Sequence, residues 1–272
     1  MSVPYYQAVL LGVIQGLTEF LPVSSDGHLA VAQALLGISE DNLALSVTLH
    51  LGTLLATVVF FRRQIRELIA QIGPFVASVA ARDGRWKNSD LATILIATIP
   101  TGIIGLALKD PVERWTRSPW IVALGFLGTA AALTSTSRLR RGKREGLSMR
   151  RTLLLGVAQG LAVAPGLSRS ASTIAVALHG GVKPERAFEL SMLISLPAIT
   201  GAVMLEAPKL LHGGQPIIVP LLGVVVAFFV GLFALKWLRS WVSQGKFPRF
   251  ALWVVPMILL TLVTANSWPA SP

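Results

Sequence analysis

An all-α polytopic membrane protein, built as an inverted-topology repeat, is the fold class this sequence predicts, and three observations predict it. The 272 residues are 53% hydrophobic and only 14% charged, and several apolar runs approach the ~20 residues that a spanning helix needs. The basic residues gather in a few short stretches that alternate with those runs, as the positive-inside rule requires. Two stretches echo each other: GVIQGLTEFLPVSSDGHL, from Gly12 to Leu29, and GVAQGLAVAPGLSRSAST, from Gly156 to Thr173. Each opens as an apolar helix, breaks at a proline and continues through serines.

No Lys or Arg precedes Arg62, which places the N-terminus away from the cytoplasm. Residues 3 to 21 are apolar up to Pro22, and residues 26 to 37 form a second short piece ending at Gly37. Each is short for a span. Two short segments broken by Pro and Gly predict a re-entrant hairpin over about 3–37, allowed where its backbone faces protein or a wet cavity. Residues 43 to 61 then run inward to Arg62-Arg63. The loop 62 to 90 holds six basic residues and is cytoplasmic on this reading. Residues 91 to 108 return outward, a short loop of mixed charge covers 109 to 119, and 120 to 137 goes back in. The stretch RLRRGKREGLSMRR, 138 to 151, carries seven basic residues and one acid, the strongest cytoplasmic marker in the chain.

The second half repeats the scheme. A Pro- and Gly-broken pair covers 152 to 164 and 166 to 181, and spans follow at 187 to 205, 217 to 235 and 250 to 266. The loop 236 to 249 adds four basic residues and no acid, and with Lys183 and Arg186 this puts 19 of the 24 basic residues on one side. Each half is thus one re-entrant hairpin plus three transmembrane helices, 1–137 and 152–272, within a single membrane domain. Three is odd, so the second half enters upside down, with its hairpin about 152–181 coming from the cytoplasm. Folds of this kind place their sites at the repeat interface, at the ends of broken helices.

Composition also excludes. There is no cysteine, hence no disulfide or thiolate metal site. A net charge of +11 on a soluble chain would suggest nucleic acid; here the basic residues lie in loops without the interleaved aromatics of a single-strand-binding surface, so no nucleic-acid partner is expected. MSVPYYQ has no basic n-region and no evident cleavage site, so no signal peptide is expected.

The polar residues inside the apolar runs carry the functional reading, because ionisable groups at bilayer depth mark sites. Gln15 and Glu19, four apart, share a helix face and could hold a hard divalent cation, Mg²⁺ or Ca²⁺, with phosphate and water completing the shell. Glu19 could equally act as a general base or orient one, or serve as a buried partner of an Arg. Ser25 and His28 are three apart, which allows a hydroxyl–imidazole contact, a nucleophile–base arrangement in outline; Ser24 beside them suits a helix cap. In the second stretch, Ser168, Ser170 and Thr173 present hydroxyls near a helix start, where phosphate is favoured. Arg169 adds a fork of donors matched to phosphate oxygens. With no acid adjacent in sequence it requires an anion, or a pair with Glu19, or a path to the surface. His50 and His212 read as structural or interfacial, and His179 is left without a role.

At these two motifs the chain resembles the bacterial undecaprenyl pyrophosphate phosphatase family, also known as bacitracin-resistance proteins. The family pattern is Glu or Gln, three residues, Glu, then a Pro-Val-Ser-Ser…Gly-His run and a later Pro-Gly-x-Ser-Arg-Ser-x-x-Thr. Here these are Gln15-GLT-Glu19, PVSSDGH from Pro22 to His28, and PGLSRSAST from Pro165 to Thr173. The resemblance covers essentially the whole length, including SLPAITGA from Ser195 to Ala202. It implies hydrolysis of undecaprenyl pyrophosphate to undecaprenyl phosphate and phosphate, recycling the lipid carrier for cell-wall synthesis and conferring resistance to bacitracin. It also implies a metal-dependent site open to the outer face of the plasma membrane, with Glu19, Ser25, His28 and Arg169 in the essential roles. Asp26 stands where a small polar residue is more usual, and Ala171 where Gly is frequent; Asp26 adds either a metal ligand or a helix cap. The attacking group is Ser25 or a metal-activated water.

A transporter or flippase for a phosphorylated lipid carrier shares the inverted repeat, but it has no need of a nucleophile, an acid–base group and a phosphate clamp together. The acid-phosphatase-like lipid phosphatases carry Lys…Arg-Pro, Pro-Ser-Gly-His and Ser-Arg…His…Asp motifs, which are not present here in order. The expected partners are a polyprenyl pyrophosphate and the surrounding lipid; a homodimer is compatible with this class, although no residue marks an interface.

Overall fold

A computed structural model describes residues 4–37, 43–211 and 218–268. Among these the chain is helical almost throughout: α1 (Tyr5–Thr18), α2 (Ser25–Leu36), α3 (Leu43–Phe60), α4 (Arg62–Ala80), α5 (Asp90–Ala107), α6 (Lys109–Thr116), α7 (Pro119–Ser135), α8 (Met149–Leu161), α9 (Arg169–His179), α10 (Pro184–Leu211), α11 (Ile218–Ser243) and α12 (Ala251–Val263). Among the described residues three stretches are long and apolar enough to cross a membrane: α5, Pro184–Leu205 of α10, and α11. The pair α6 and α7, bent by 105°, forms a fourth if counted as one broken span, and Thr48–Phe60 and Phe247–Val263 are shorter apolar helices. Large apolar side chains on these helices point outward, Ile99 and Ile103 on α5, Phe229 and Phe233 on α11, Leu252 and Val263 on α12. An exposed apolar girdle of this kind marks a surface that meets lipid rather than water. The chain is therefore a multi-pass membrane protein.

Packing in lipid depends on close backbone approach, for which small residues are the means. A Cβ on Gly12 would come within 2.8 Å of the Gly223 carbonyl oxygen, and one on Gly16 within 2.8 Å of Val230, so α1 lies directly on α11. The same spacing in α8 sets Gly156 against the Ala97 carbonyl and Gly160 against Ile104, and α8 lies directly on α5. Around these pairs α3 packs on α10 and α11, and α7 on α12. Phe20, Phe61, Phe126 and Phe188 are fully buried in one core cluster. Phe20 belongs to the break after α1, so the core grips the turn itself, not only the helices.

Three expected loops are helical instead. Residues 62 to 90 begin with α4, a strongly amphipathic helix whose Arg62, Arg63, Arg66 and Glu67 follow directly on the apolar end of α3. A hydrophobic stripe at helical spacing, Ile65, Leu68, Ile69 and Ile72, outweighs the charge run that suggested a loop. The stretch 109 to 119 holds α6, started by Asp110 in its first turn and ended by Arg114 in its last, both matched to the helix dipole. The basic residues Lys236 and Arg239 lie inside α11, which runs on to Ser243; long cationic side chains reach water from the last turns of a spanning helix.

Candidate active site at two helix breaks

Both broken helices stop and restart as their sequences require. α1 ends before Glu19, and the chain turns through Phe20 to Ser24 before α2 begins at Ser25. Ser24 holds φ 70°, a conformation uncommon outside Gly, and its hydroxyl accepts from the Gly27 amide at 3.4 Å, capping α2. In the second break Gly166 has φ +85°, and a Cβ there would lie 2.2 Å from the Val122 carbonyl oxygen. Thr129 of α7 staples this turn: its hydroxyl donates to the Gly166 carbonyl at 2.7 Å and accepts from the Ser168 amide at 2.7 Å. Ser168 then caps α9 by accepting from the Ala171 amide at 3.2 Å.

The two turns touch. A Cβ on Gly27 would meet the Gly166 Cα at 2.9 Å and the Phe126 ring at 2.6 Å, and the Ser170 hydroxyl donates to the Leu21 carbonyl at 3.3 Å. Residues far apart in sequence thereby surround one carboxylate. Glu19 Oε1 accepts from Arg169 Nη2 at 2.5 Å, and Oε2 accepts from the Ser25 hydroxyl at 2.7 Å and from Gln15 Nε2 at 3.0 Å. His50 Nε2, from α3, lies 3.8 Å from the same oxygen and 3.9 Å from Asp26 Oδ1. Glu19 itself is enclosed, with its side chain 4% exposed, while Arg169, His50 and Asp26 are 21%, 25% and 49% exposed. The anion is at the bottom and the groups that could meet a substrate stand above it.

Of the sequence-named residues, Gln15, Glu19, Ser25 and Arg169 converge within direct contact, with Ser24 and Ser170 on the two turns. Thr173 faces away from this cluster; its hydroxyl donates to the Arg169 carbonyl at 2.8 Å and shares a hydrogen bond with Ser191 at 2.6 Å. Ser168 shares one with Ser170 at 3.2 Å. Of the three destinations open to Arg169, the structure shows the pair with Glu19. The contact expected between Ser25 and His28 gives way to a different arrangement. His28 Nε2 accepts from the Trp253 indole at 3.0 Å, and Nδ1 lies 2.8 Å from the Ser24 carbonyl. An indole nitrogen only donates and a carbonyl only accepts, so His28 is neutral, protonated on Nδ1, with both ring nitrogens engaged. Its work in this arrangement is to hold the Ser24 turn.

His50, read from sequence as structural or interfacial, is the histidine beside the carboxylate. A run LHLGT inside an apolar helix carries no signal of that, since only the fold brings α3 against the break. Trp253 is equally silent in sequence. His179 shares a hydrogen bond with Ser135 at 3.0 Å, at the far end of α9 from Arg169, and His212 lies outside the described residues.

Two further observations bear on a metal. The Gln15 Oε1 atom is buried and has no hydrogen-bond partner, although it sits beside Glu19. Among the described residues no three His, Asp or Glu side chains converge to hold a metal ion. The oxygen donors that stand together here are the Gln15 amide and the Glu19 carboxylate.

A buried carboxylate bonded at once to a guanidinium and a hydroxyl, at the meeting of two helix breaks, marks the candidate active site of a multi-pass membrane protein. The family model described as "Bacitracin resistance protein BacA" matches residues 8–260, and the chain belongs to that family. A protein of Desulfatibacillum aliphaticivorans named undecaprenyl-diphosphatase is 42% identical, covering 94% of this chain and 98% of its own. Proteins with the same name from Desulforapulum autotrophicum and Treponema denticola are 41% and 36% identical, covering 93% of this chain and 96% and 94% of their own.

Proposed function

We propose that this chain hydrolyses undecaprenyl diphosphate to undecaprenyl phosphate and inorganic phosphate, at the site around Glu19. The observation that carries the mechanism is the 2.7 Å hydrogen bond from the Ser25 hydroxyl to the Glu19 carboxylate. A nucleophile donating to a base that is itself oriented by further groups is the arrangement covalent catalysis needs. Ser25 Oγ attacks the terminal phosphorus, Glu19 takes the hydroxyl proton, and the bridging P–O bond breaks to release the lipid monophosphate. Water then cleaves the serine phosphoester and releases phosphate. Arg169, 21% exposed on its side chain, turns its guanidinium to the transferring phosphoryl group, where fixed positive charge matters most. Ser24, Ser168 and Ser170 shape the two turns that line the approach, and Thr173 braces the start of α9 through the Arg169 carbonyl and Ser191. Proton handling falls to Glu19, with His50 next to it, and His28 positions the turn.

A divalent cation, Mg²⁺ or Ca²⁺, would be held by Gln15 and Glu19 and would supply neutralisation of charge on the phosphates. The unpartnered Gln15 Oε1 supports that reading.

The inverted repeat belongs to the same proposal. α1 on α11 corresponds to α8 on α5, with the glycine pairs Gly12/Gly16 and Gly156/Gly160 in the same role. α3 on α11 likewise corresponds to α10 on α5. Together with the basic clusters, this supports two re-entrant hairpins entering from opposite sides of the plasma membrane, with the site opening to the outer face. The repeat alone would also suit a transporter; the names of the relatives and the hydroxyl–carboxylate pair favour the hydrolase.

The test is phosphate release from a polyprenyl diphosphate in detergent, with and without divalent cation and chelator. Cation-dependent release that is lost in Ser25→Ala and in Arg169→Ala supports the proposal. No release from folded wild-type protein under any cation would sink it.

A further inference from the structure

A cavity of about 510 Å³ lies at the other end of α3 from His50, roughly 16 Å along the helix at 1.5 Å per residue. It is lined by apolar Phe60 and Leu232, with the buried core side chains Phe61 and Phe188 behind them, and by charged residues. The charges do not cancel. Every acid on the rim already has a partner: Glu145 binds Lys183, Glu189 binds Arg186 at 2.8 Å and Glu185 binds Arg141 at 3.1 Å. Arg186 is held by Asp90 as well. Three cations on the rim are left over, Arg62, Lys236 and Arg239, all exposed and with no acidic partner among the described residues.

Its neighbours fix its setting. On α11, Phe229 and Phe233 point outward from the bundle just before Lys236. Trp237 and Trp241, in edge contact at 5.5 Å between ring centroids, follow at once. Tryptophans at this place in a spanning helix mark the level of the lipid headgroups. A hollow with surplus positive charge in its lining, beside apolar Phe60 and Leu232 and next to the outward-facing Phe229 and Phe233 of α11, matches the anionic head and upper chain of an amphiphile. We propose that this cavity is a binding site for the phosphate headgroup of an anionic phospholipid, separate from the Glu19 site. The proposal needs only that the protein sits in a bilayer, so it stands or falls apart from the hydrolase reading.

Native mass spectrometry of the full chain in neutral detergent, with phosphatidylglycerol, phosphatidylcholine or inorganic phosphate added, tests it. Phosphatidylglycerol is expected to remain bound to wild type and to Glu19→Gln, while phosphatidylcholine does not. Lys236→Gln and Arg239→Gln should each weaken retention by about fivefold, from roughly 1 kcal/mol per cation near an anionic surface. Leu232→Trp, which fills the hollow and leaves every charge in place, should also expel the lipid. Equal retention of the two lipids, or undiminished retention in Leu232→Trp, overturns the proposal. So does retention lost in Glu19→Gln, which would put the lipid in the other site. Retention of inorganic phosphate displaced by no lipid would mark a plain anion site and overturn it as well.

Discussion

Glu19 has two oxygens and three hydrogen-bond donors, and its neighbours decide what each donor can do. Arg169 and Ser25 occupy different oxygens, so a phosphoryl group could draw Arg169 away while Ser25 stays bonded to Glu19, as the proposed mechanism requires. Glu19→Gln is expected to lower kcat by about 10²–10⁴-fold, the usual worth of a positioned acid–base group, with the fold unchanged by circular dichroism. Retention of wild-type kcat in that variant would remove Glu19 from the proton transfer. Trp253→Phe separates two readings of His28. Loss of the indole donor leaves the buried His28 Nε2 acceptor unpaired, at a cost of about 1–3 kcal/mol in stability. The expected result is a lower Tm with kcat within a few-fold of wild type. A kcat that collapses with Tm unchanged would show that Trp253 orients His28 as the base. Ser25, Glu19 and Arg169 were all legible from residue type and local spacing. His50 was not, because nothing within α3 reports what lies across from it.

Each helix break is a structural element in its own right. The first holds Ser24 at φ 70° and the second holds Gly166 at φ +85°, and each turn leans on the other at Gly27. Gly166→Ala has no room and the wrong backbone preference, and Gly27→Ala would drive a methyl group against Phe126. Overpacking of this kind costs about 1–3 kcal/mol. Both variants should therefore unfold at lower temperature in detergent. Phosphate release should fall beyond what the Tm loss explains, because the turns carry Ser25 and Arg169. An alanine at Gly105, whose Cβ would find its nearest neighbour at 3.9 Å, serves as the neutral comparison. At this scale the helix ends were well marked by proline, glycine and serine. The three expected loops are helical because an apolar stripe outweighs the charge in α4, the charged ends of α6 match its dipole, and Lys236 and Arg239 reach water from within α11.

In the whole molecule, orientation is the property that matters most for a lipid substrate. The chain has no cysteine, so single cysteines report sidedness without background. Tyr6→Cys, at an exposed position near the start of α1, should react with a membrane-impermeant maleimide added to intact cells. Met149→Cys, at an exposed position starting α8, should react only after permeabilisation. Labelling of both from one side would contradict the inverted insertion of the two halves. The basic stretches are what point to this arrangement from sequence, since insertion follows charge, and the labelling experiment decides it.

By itself the sequence determined that the chain is a helical membrane protein, where its helices break, and which polar residues stand at the breaks. These are local properties, set by hydropathy, backbone preference and residue type within a few turns. Only the tertiary structure decided that Arg169 pairs with Glu19, that Ser25 and not His28 shares the carboxylate, and that His50 and Trp253 belong to the same neighbourhood. Those contacts join residues on different helices, and their geometry depends on how close glycines let the backbones approach.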